Sequence, residues 1–381
     1  MVDDTGVDTP TPHPMPWQSH AWERFAASIA ANRVPHALLL GGPAGTGKRA
    51  LAEAMAARLL CRQPVDTRAC DHCRDCRLRR AGSHPDYQIV EPAAGGSGIL
   101  KIEATRELTE FSHHTSQQNH RRVVVLNPAE AMNRHAANAL LKTLEEPPDG
   151  MVLILVSHQP GRLSATLRSR CQYERLGIPS PVQARTWLQS QGVEAPEALL
   201  ALAGGSPLTA RQLAAEDGME RFEALAAALG GVIRQRQSAV AAATEWRPVG
   251  ALETTRLMQQ LAIQLMRAAT DPRQRLTGYP AFEQLQSLLD GERLARIQAD
   301  LLPLREAAEQ PLSRELSIEA LFLTGGDHDR GLTLPFPFAR APGQRRCRVG
   351  RGPCSGCGCV PERGGRGGGA RAIDRLQRAP R

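Results

Sequence analysis

Gly42-Pro43-Ala44-Gly45-Thr46-Gly47-Lys48 has the composition and spacing of a Walker A loop. The glycines free backbone N–H groups to converge on phosphate oxygens at a helix start, and Lys48 would reach the β and γ phosphates. Only three of the 47 basic residues are lysine, Lys48, Lys101 and Lys142, so a lysine at this position is more informative than any single arginine. Gly42, Gly45, Thr46, Gly47 and Lys48 are therefore the candidate nucleotide contacts. The next position departs from the pattern. Arg49 stands where a Ser or Thr hydroxyl normally holds magnesium, and a guanidinium has no lone pair to offer a cation.

An ATPase site also needs an apolar strand ending in two carboxylates, one to organise the metal and one to activate water. Here Val123-Val124-Val125-Leu126 is followed by Asn127 and Pro128, neither of which can serve as a base. Glu130, two residues further on, reads as a solvated loop carboxylate. ATP binding through Lys48 and the backbone stays open, and hydrolysis is not expected.

A second constellation is Cys61, Cys70, Cys73 and Cys76, spaced C-x8-C-x2-C-x2-C. Two C-x2-C turns let sulfurs converge on one tetrahedral ion, and Cys61 at the end of the preceding helix closes the fourth corner. Four thiolates with no spare ligand position describe a structural zinc site rather than a catalytic one. An iron–sulfur cluster fits less well because the fourth cysteine lies upstream, and a redox pair would need only two thiols. Cys347, Cys354, Cys357 and Cys359 sit among glycines without apolar support, and no metal is assigned to them.

The elements that must hold these residues are legible from periodicity. Apolar runs at 37–40, 87–90, 123–126, 152–157 and 172–176 read as five strands of a parallel sheet. The segments between them are amphipathic: Trp22, Phe25 and Ile29 share one helical face, as do Leu51, Met55 and Leu59, and the helix over 136–146 stops at Pro147-Pro148. The expected fold class is α/β, a P-loop domain over 17–178 with the cysteine module at 61–76, after an N-terminal extension 1–16. Beyond Pro179 and Pro181 the strand signal gives way to helices, first a small lid over 179–213 and then a helical bundle over 214–326.

Residues 327–381 hold 12 Arg, 11 Gly and 4 acids, too little apolar surface to offset ordering entropy. They read as a disordered tail, either a GC-rich frame translated past its normal end by frameshift or read-through, or an RGG-type RNA-binding segment. Their excess of 12 − 4 = 8 positive charges accounts for the whole net charge of +8, leaving 35 basic and 35 acidic residues in 1–326. The folded part is thus neutral and lacks the basic signature of a dedicated nucleic-acid binder. No run approaches the roughly 20 apolar residues of a membrane span, and the acidic, proline-rich start does not resemble an export signal. A cytoplasmic location with reduced thiols and no membrane contact is expected.

With Asn138-Ala139-Leu140-Leu141-Lys142-Thr143-Leu144-Glu145-Glu146-Pro147-Pro148 and Leu167-Arg168-Ser169-Arg170-Cys171, residues 17–215 resemble the AAA+ clamp-loader family of DNA polymerase III gamma/tau and delta-prime subunits. The resemblance implies an AAA+ P-loop domain, a helical lid and a C-terminal helical collar. It also implies a hetero-oligomeric ring of gamma/tau and delta subunits that places a sliding clamp on primed DNA, as part of a holoenzyme with nucleotidyltransferase activity. In the family the arginine matching Arg170 is a finger offered to the neighbour's ATP, with Arg168 a structural neighbour and Cys171 an apolar one. The cysteine spacing matches a zinc module of these subunits. Leu208, in Gly205-Ser206-Pro207-Leu208, matches the lid arginine that active members aim at nucleotide. Arg49, Asn127, Pro128 and Leu208 together side with the delta-prime branch, whose own site is dismantled. An active ATPase of gamma/tau type is the competing reading.

Overall fold

The computed structural model describes residues 11–92, 100, 121–271, 276–308, 318–320 and 322. Lys101, most of the N-terminal extension 1–16, and the tail 327–381 with Cys347, Cys354, Cys357 and Cys359 lie outside the described residues.

Five parallel strands form one sheet in the order β2-β3-β4-β1-β5. They are β1 (Ala37–Gly41), β2 (Tyr87–Val90), β3 (Arg122–Leu126), β4 (Met151–Ser157) and β5 (Gln172–Arg175). Each expected strand is present, with ends moved by at most one residue. Strands β1, β3 and β4 are buried along their whole length, which is why they read as unbroken apolar runs rather than alternating ones. Alternate side chains still go to opposite faces. Leu38, Leu40, Val123, Val125 and Ile154 pack under α1 (Ser19–Ala30) and α2 (Lys48–Leu60), against Trp22, Phe25, Leu51 and Met55. A short α3 (Arg74–Arg80) follows within the cysteine module.

The other face carries Leu39, Val124, Leu126, Leu153 and Leu155 against α4 (Arg134–Glu145) and the single turn and a half of α5 (Ala165–Ser169), through Leu140, Leu144 and Leu167. Each of these fully buried side chains stabilises the fold by roughly 1.5–3 kcal/mol. Both helices start where a side chain satisfies a free backbone N–H. Asn133 Oδ1 accepts from Ala136 N at 2.8 Å, and Ser164 Oγ accepts from Leu167 N at 3.2 Å. Helix α4 ends before Pro147-Pro148, which cannot continue it.

Helices α6 (Pro181–Ser190), α7 (Pro196–Leu202) and α8 (Pro207–Ala215) enclose a small core of Ala184, Leu188, Leu199, Leu200 and Ala210. A larger core, around Phe222 and Phe282 at 5.7 Å between ring centroids, is built from α9 (Gly218–Ile233), α10 (Ala239–Trp246), α11 (Ala251–Thr270), α12 (Pro280–Leu288) and α13 (Gly291–Ala308). The two are not sealed from each other. Leu202 of α7 joins the larger core, and Gln264 Nε2 of α11 donates to the Ala201 carbonyl.

Candidate functional site

The phosphate loop connects β1 to α2, with Gly47 at φ 82° as the residue before the helix and Gly45 at φ 73°. Both conformations favour glycine. The loop is closed on itself. Lys48 is 2% exposed, and its Nζ donates to the Pro43 carbonyl and lies 3.5 Å from Thr46 Oγ1, which also donates to Pro43 O at 3.0 Å. Burial pushes the Lys48 ammonium down to about 8, partly offset by the nearby Glu130 carboxylate.

Two outside elements press on the loop. From the N-terminal side, Trp17 Nε1 and Gln18 Nε2 both donate to the Thr46 carbonyl, at 3.0 and 2.9 Å. A Cβ added at Gly47 would lie 2.9 Å from Met15 Cγ. From the other side, the start of α8 covers the loop: Leu208 N donates to Gly45 O at 3.1 Å, and a Cβ at Gly45 would collide with Thr209 Oγ1. Leu208 therefore meets the loop with an apolar side chain, 3.4 Å from the Cβ position of Gly47. Trp17 also stacks edge-on against Trp187 of α6 at 5.5 Å, tying the N-terminal turn to the helices above. Reading the sequence missed Met15, Trp17, Gln18 and Thr209, because no motif marks residues that fill a loop from outside.

Arg49 is held between two carboxylates. Its Nε lies 2.9 Å from Glu53 Oε1 and its Nη2 2.9 Å from Glu91 Oε2. Glu91 in turn accepts from Asn127 Nδ2 at 2.6 Å. The two substituted positions thus share one carboxylate across the tips of α2, β2 and β3.

Glu130 corrects the sequence reading. It is not a solvated loop carboxylate: Oε1 accepts from the backbone N–H groups of His158 at 2.8 Å and Gln159 at 3.1 Å, and Oε2 is buried. Glu130 lies in a 3-10 turn at Ala129–Ala131, and the N–H groups that hold its carboxylate come from the residues just past the end of β4. Ser157 Oγ, His158 Nδ1 and Asn127 Oδ1 are likewise buried and unpaired among the described residues. Burial, then the nearby Lys48 charge, holds the His158 imidazole below its ordinary value, against Glu130.

Arg170 follows α5 directly. Its Nη1 donates to the Thr166 carbonyl at 3.0 Å, its Nη2 lies 2.7 Å from Glu145 Oε1, and its side chain is 34% exposed. Arg168, expected as the structural neighbour, is exposed. Cys171 packs against the β3–β4 core, and burial pushes its thiol up to about 11, which suits an apolar role rather than a nucleophile.

In the cysteine module the four Sγ atoms lie within 4.8 Å of one another. Cys61–Cys70 is 3.5 Å, and Cys61–Cys73 and Cys70–Cys76 are each 4.0 Å. A tetrahedron with zinc–sulfur bonds of about 2.3 Å has edges of about 3.8 Å, so the donor set fits that ion. Backbone N–H groups of Cys70 and Cys73 donate to the sulfurs of Cys61 and Cys70, both at 3.3 Å, while burial pushes the Cys61 thiol up. Although burial acts to raise the Cys73 thiol, hydrogen bonds from the Cys76 and Arg62 backbones and from neighbouring thiols bring it down to about 6. The module is anchored by Asp75, fully buried in the first turn of α3, whose Oδ2 lies 2.6 Å from Arg62 Nε.

Residues 17–178 match the family model described as DNA polymerase III, delta subunit. The DNA polymerase III subunit delta' of Pseudomonas aeruginosa is 47% identical over 195 residues, 50% of this chain and 58% of that protein. The subunit delta' of Escherichia coli is 42% identical over 186 residues, covering 49% and 55% respectively. Residues 17–178 are thus similar to delta-prime subunits of DNA polymerase III. The chain spans a little over half the length of these relatives. The tau subunit of Escherichia coli is also similar, at 31% identity over 154 residues, 40% of this chain and 23% of that one. The residues matched by the family model enclose the phosphate loop, the cysteine module, the Arg49–Glu91–Asn127 bridge, Glu145 and Arg170. Leu208 and the helices that follow lie outside the residues matched by that family model. Among the described residues no helix is long and apolar enough to cross a membrane.

Proposed function

We propose that this chain is a non-hydrolysing clamp-loader subunit, acting in a ring with gamma/tau and delta subunits of a DNA polymerase III holoenzyme to load a sliding clamp onto primed DNA. The observation that carries the reading is the pairing of Arg49 and Asn127 on Glu91. Hydrolysis needs a hydroxyl and a carboxylate on magnesium at these positions. Here both side chains are engaged with each other's partner, and Pro128 offers no base. The closed phosphate loop supports the same conclusion, because Lys48 is already satisfied by the loop itself.

Arg170 is then the residue through which the chain contributes to hydrolysis, in trans. Its permanent charge and planar fork suit a developing phosphoryl charge on a neighbour's ATP. The cysteine module holds one structural zinc, and the helices beyond residue 214 serve as the collar that keeps the ring together. The tail from 327 has no part in assembly. The competing reading, an active ATPase of gamma/tau type, would need Glu130 as a displaced base, but one of its oxygens is taken by two backbone N–H groups.

The test is to purify the chain and assay ATP turnover with and without primed DNA, then add its gamma/tau and delta partners and the clamp. No turnover alone and clamp loading on mixing is the expected result. Steady turnover by the isolated chain would overturn it.

A further inference from the structure

An arginine that acts on a neighbour's ATP must be aimed before the neighbour arrives, because ordering a long side chain at the moment of docking subtracts from the interaction. We propose that Glu145 is the positioning residue for Arg170, an inference that rests on the trans role given to Arg170 above. Glu145 is the last residue of α4, and its Oε1 lies 2.7 Å from Arg170 Nη2. Arg170 Nη1 donates to the Thr166 carbonyl of α5 at 3.0 Å. One guanidinium is thus held at two points by two different helices, with the rest of its five N–H donors available to a ligand outside the chain.

The supports themselves are fixed. Helix α4 is set by the Asn133 cap and by Leu140 and Leu144, and α5 by the Ser164 cap and Leu167, the three leucines converging on one core cluster. The backbone of Arg170 is held as well, its N–H donating to Leu167 O at 3.2 Å. By contrast the ion pair lies at the surface, with side chains 34% and 49% exposed. An exposed pair adds little to folding, so what this one supplies is direction. It is also reversible, since water can replace the carboxylate if the docked phosphate claims Nη2.

The loader reconstituted with gamma/tau and delta subunits provides the test, using single-turnover ATP hydrolysis on primed DNA with clamp, and thermal unfolding of the chain. Glu145→Ala should slow hydrolysis at the site facing Arg170 by roughly 3- to 10-fold, with unchanged KM for ATP and unchanged melting temperature. Glu145→Gln should recover most of the rate, because the amide oxygen still accepts from Nη2. The Arg170→Ala, Glu145→Ala double variant should be no slower than Arg170→Ala alone. Unchanged or faster hydrolysis by Glu145→Ala while Arg170→Ala is slow, or additive losses in the double variant, would overturn the positioning role. Normal hydrolysis by Arg170→Ala would instead remove the trans role on which it rests.

Discussion

Asn127 Nδ2 donates to Glu91 Oε1 at 2.6 Å while Arg49 Nη2 lies 2.9 Å from the other oxygen of the same carboxylate. Two departures from an ATPase pattern, 78 positions apart in sequence, are therefore one polar bridge in the fold. Restoring the lost carboxylate at 127 should do harm before it does good. Asn127→Asp removes the donor to Glu91 and sets two like charges side by side, which should destabilise the chain by about 1–2 kcal/mol in urea unfolding. Adding Glu91→Gln should return most of that, a coupling readable in a double-mutant cycle. Neither variant should hydrolyse ATP, even with Glu at 128, because Arg49 and Leu208 remain. A silent cycle would mean the bridge is not an energetic unit.

Lys48 gives a pH signature. Burial holds its ammonium at about 8, below the ordinary 10.5, so between those values the unfolded chain binds more protons than the folded one and stability rises with pH. Below about pH 8 the folded state carries the full penalty, at most about 3 kcal/mol. Lys48→Met removes that penalty but also the hydrogen bond to Pro43 O, worth about 1 kcal/mol. The variant should thus be more stable than the parent at pH 7 by roughly 1–2 kcal/mol, with the gain shrinking toward pH 10.5. It should also assemble into an active loader. A loss of stability at pH 7 would show that the lysine is needed where it lies.

The sheet was legible because β1, β3 and β4 are buried on both faces and so spell continuous apolar runs, and the loop because its glycines adopt positive φ. Arg49 and Asn127 were legible only as departures from an ATPase pattern. Their common partner depends on strand register: the pairing of Val90 with Leu126 brings Glu91 beside Asn127, and nothing local in the sequence announces that. Glu130 was misread for a related reason, since its carboxylate is held by backbone N–H groups 28 and 29 positions away. The plug of Met15, Trp17 and Gln18 against the loop is a long-range packing event between segments with no shared pattern.

The cysteine module predicts one zinc per chain by metal analysis. Cys73→Ser should release it and destabilise the chain by several kcal/mol, because binding free energy at a four-thiolate site is folding free energy. Chelation of the parent protein should lower its melting temperature in the same direction. A metal-free chain of full stability would count against the assignment, despite sulfur separations of 3.5 to 4.0 Å.

Arg170 separates charge from geometry. Arg170→Ala should leave the melting temperature unchanged, because its ion pair with Glu145 is exposed, while hydrolysis at the neighbouring site falls by about 100-fold or more. Arg170→Lys keeps the charge but has neither the planar fork nor the two separate Nη groups that meet Thr166 O and Glu145. It should therefore recover only a small part of the lost rate. Full recovery by lysine would show that a point charge suffices, and that the two-point hold on the guanidinium has no bearing on hydrolysis. The measurement is single-turnover hydrolysis by the reconstituted ring, with the isolated chain's unfolding curve as the control for structure.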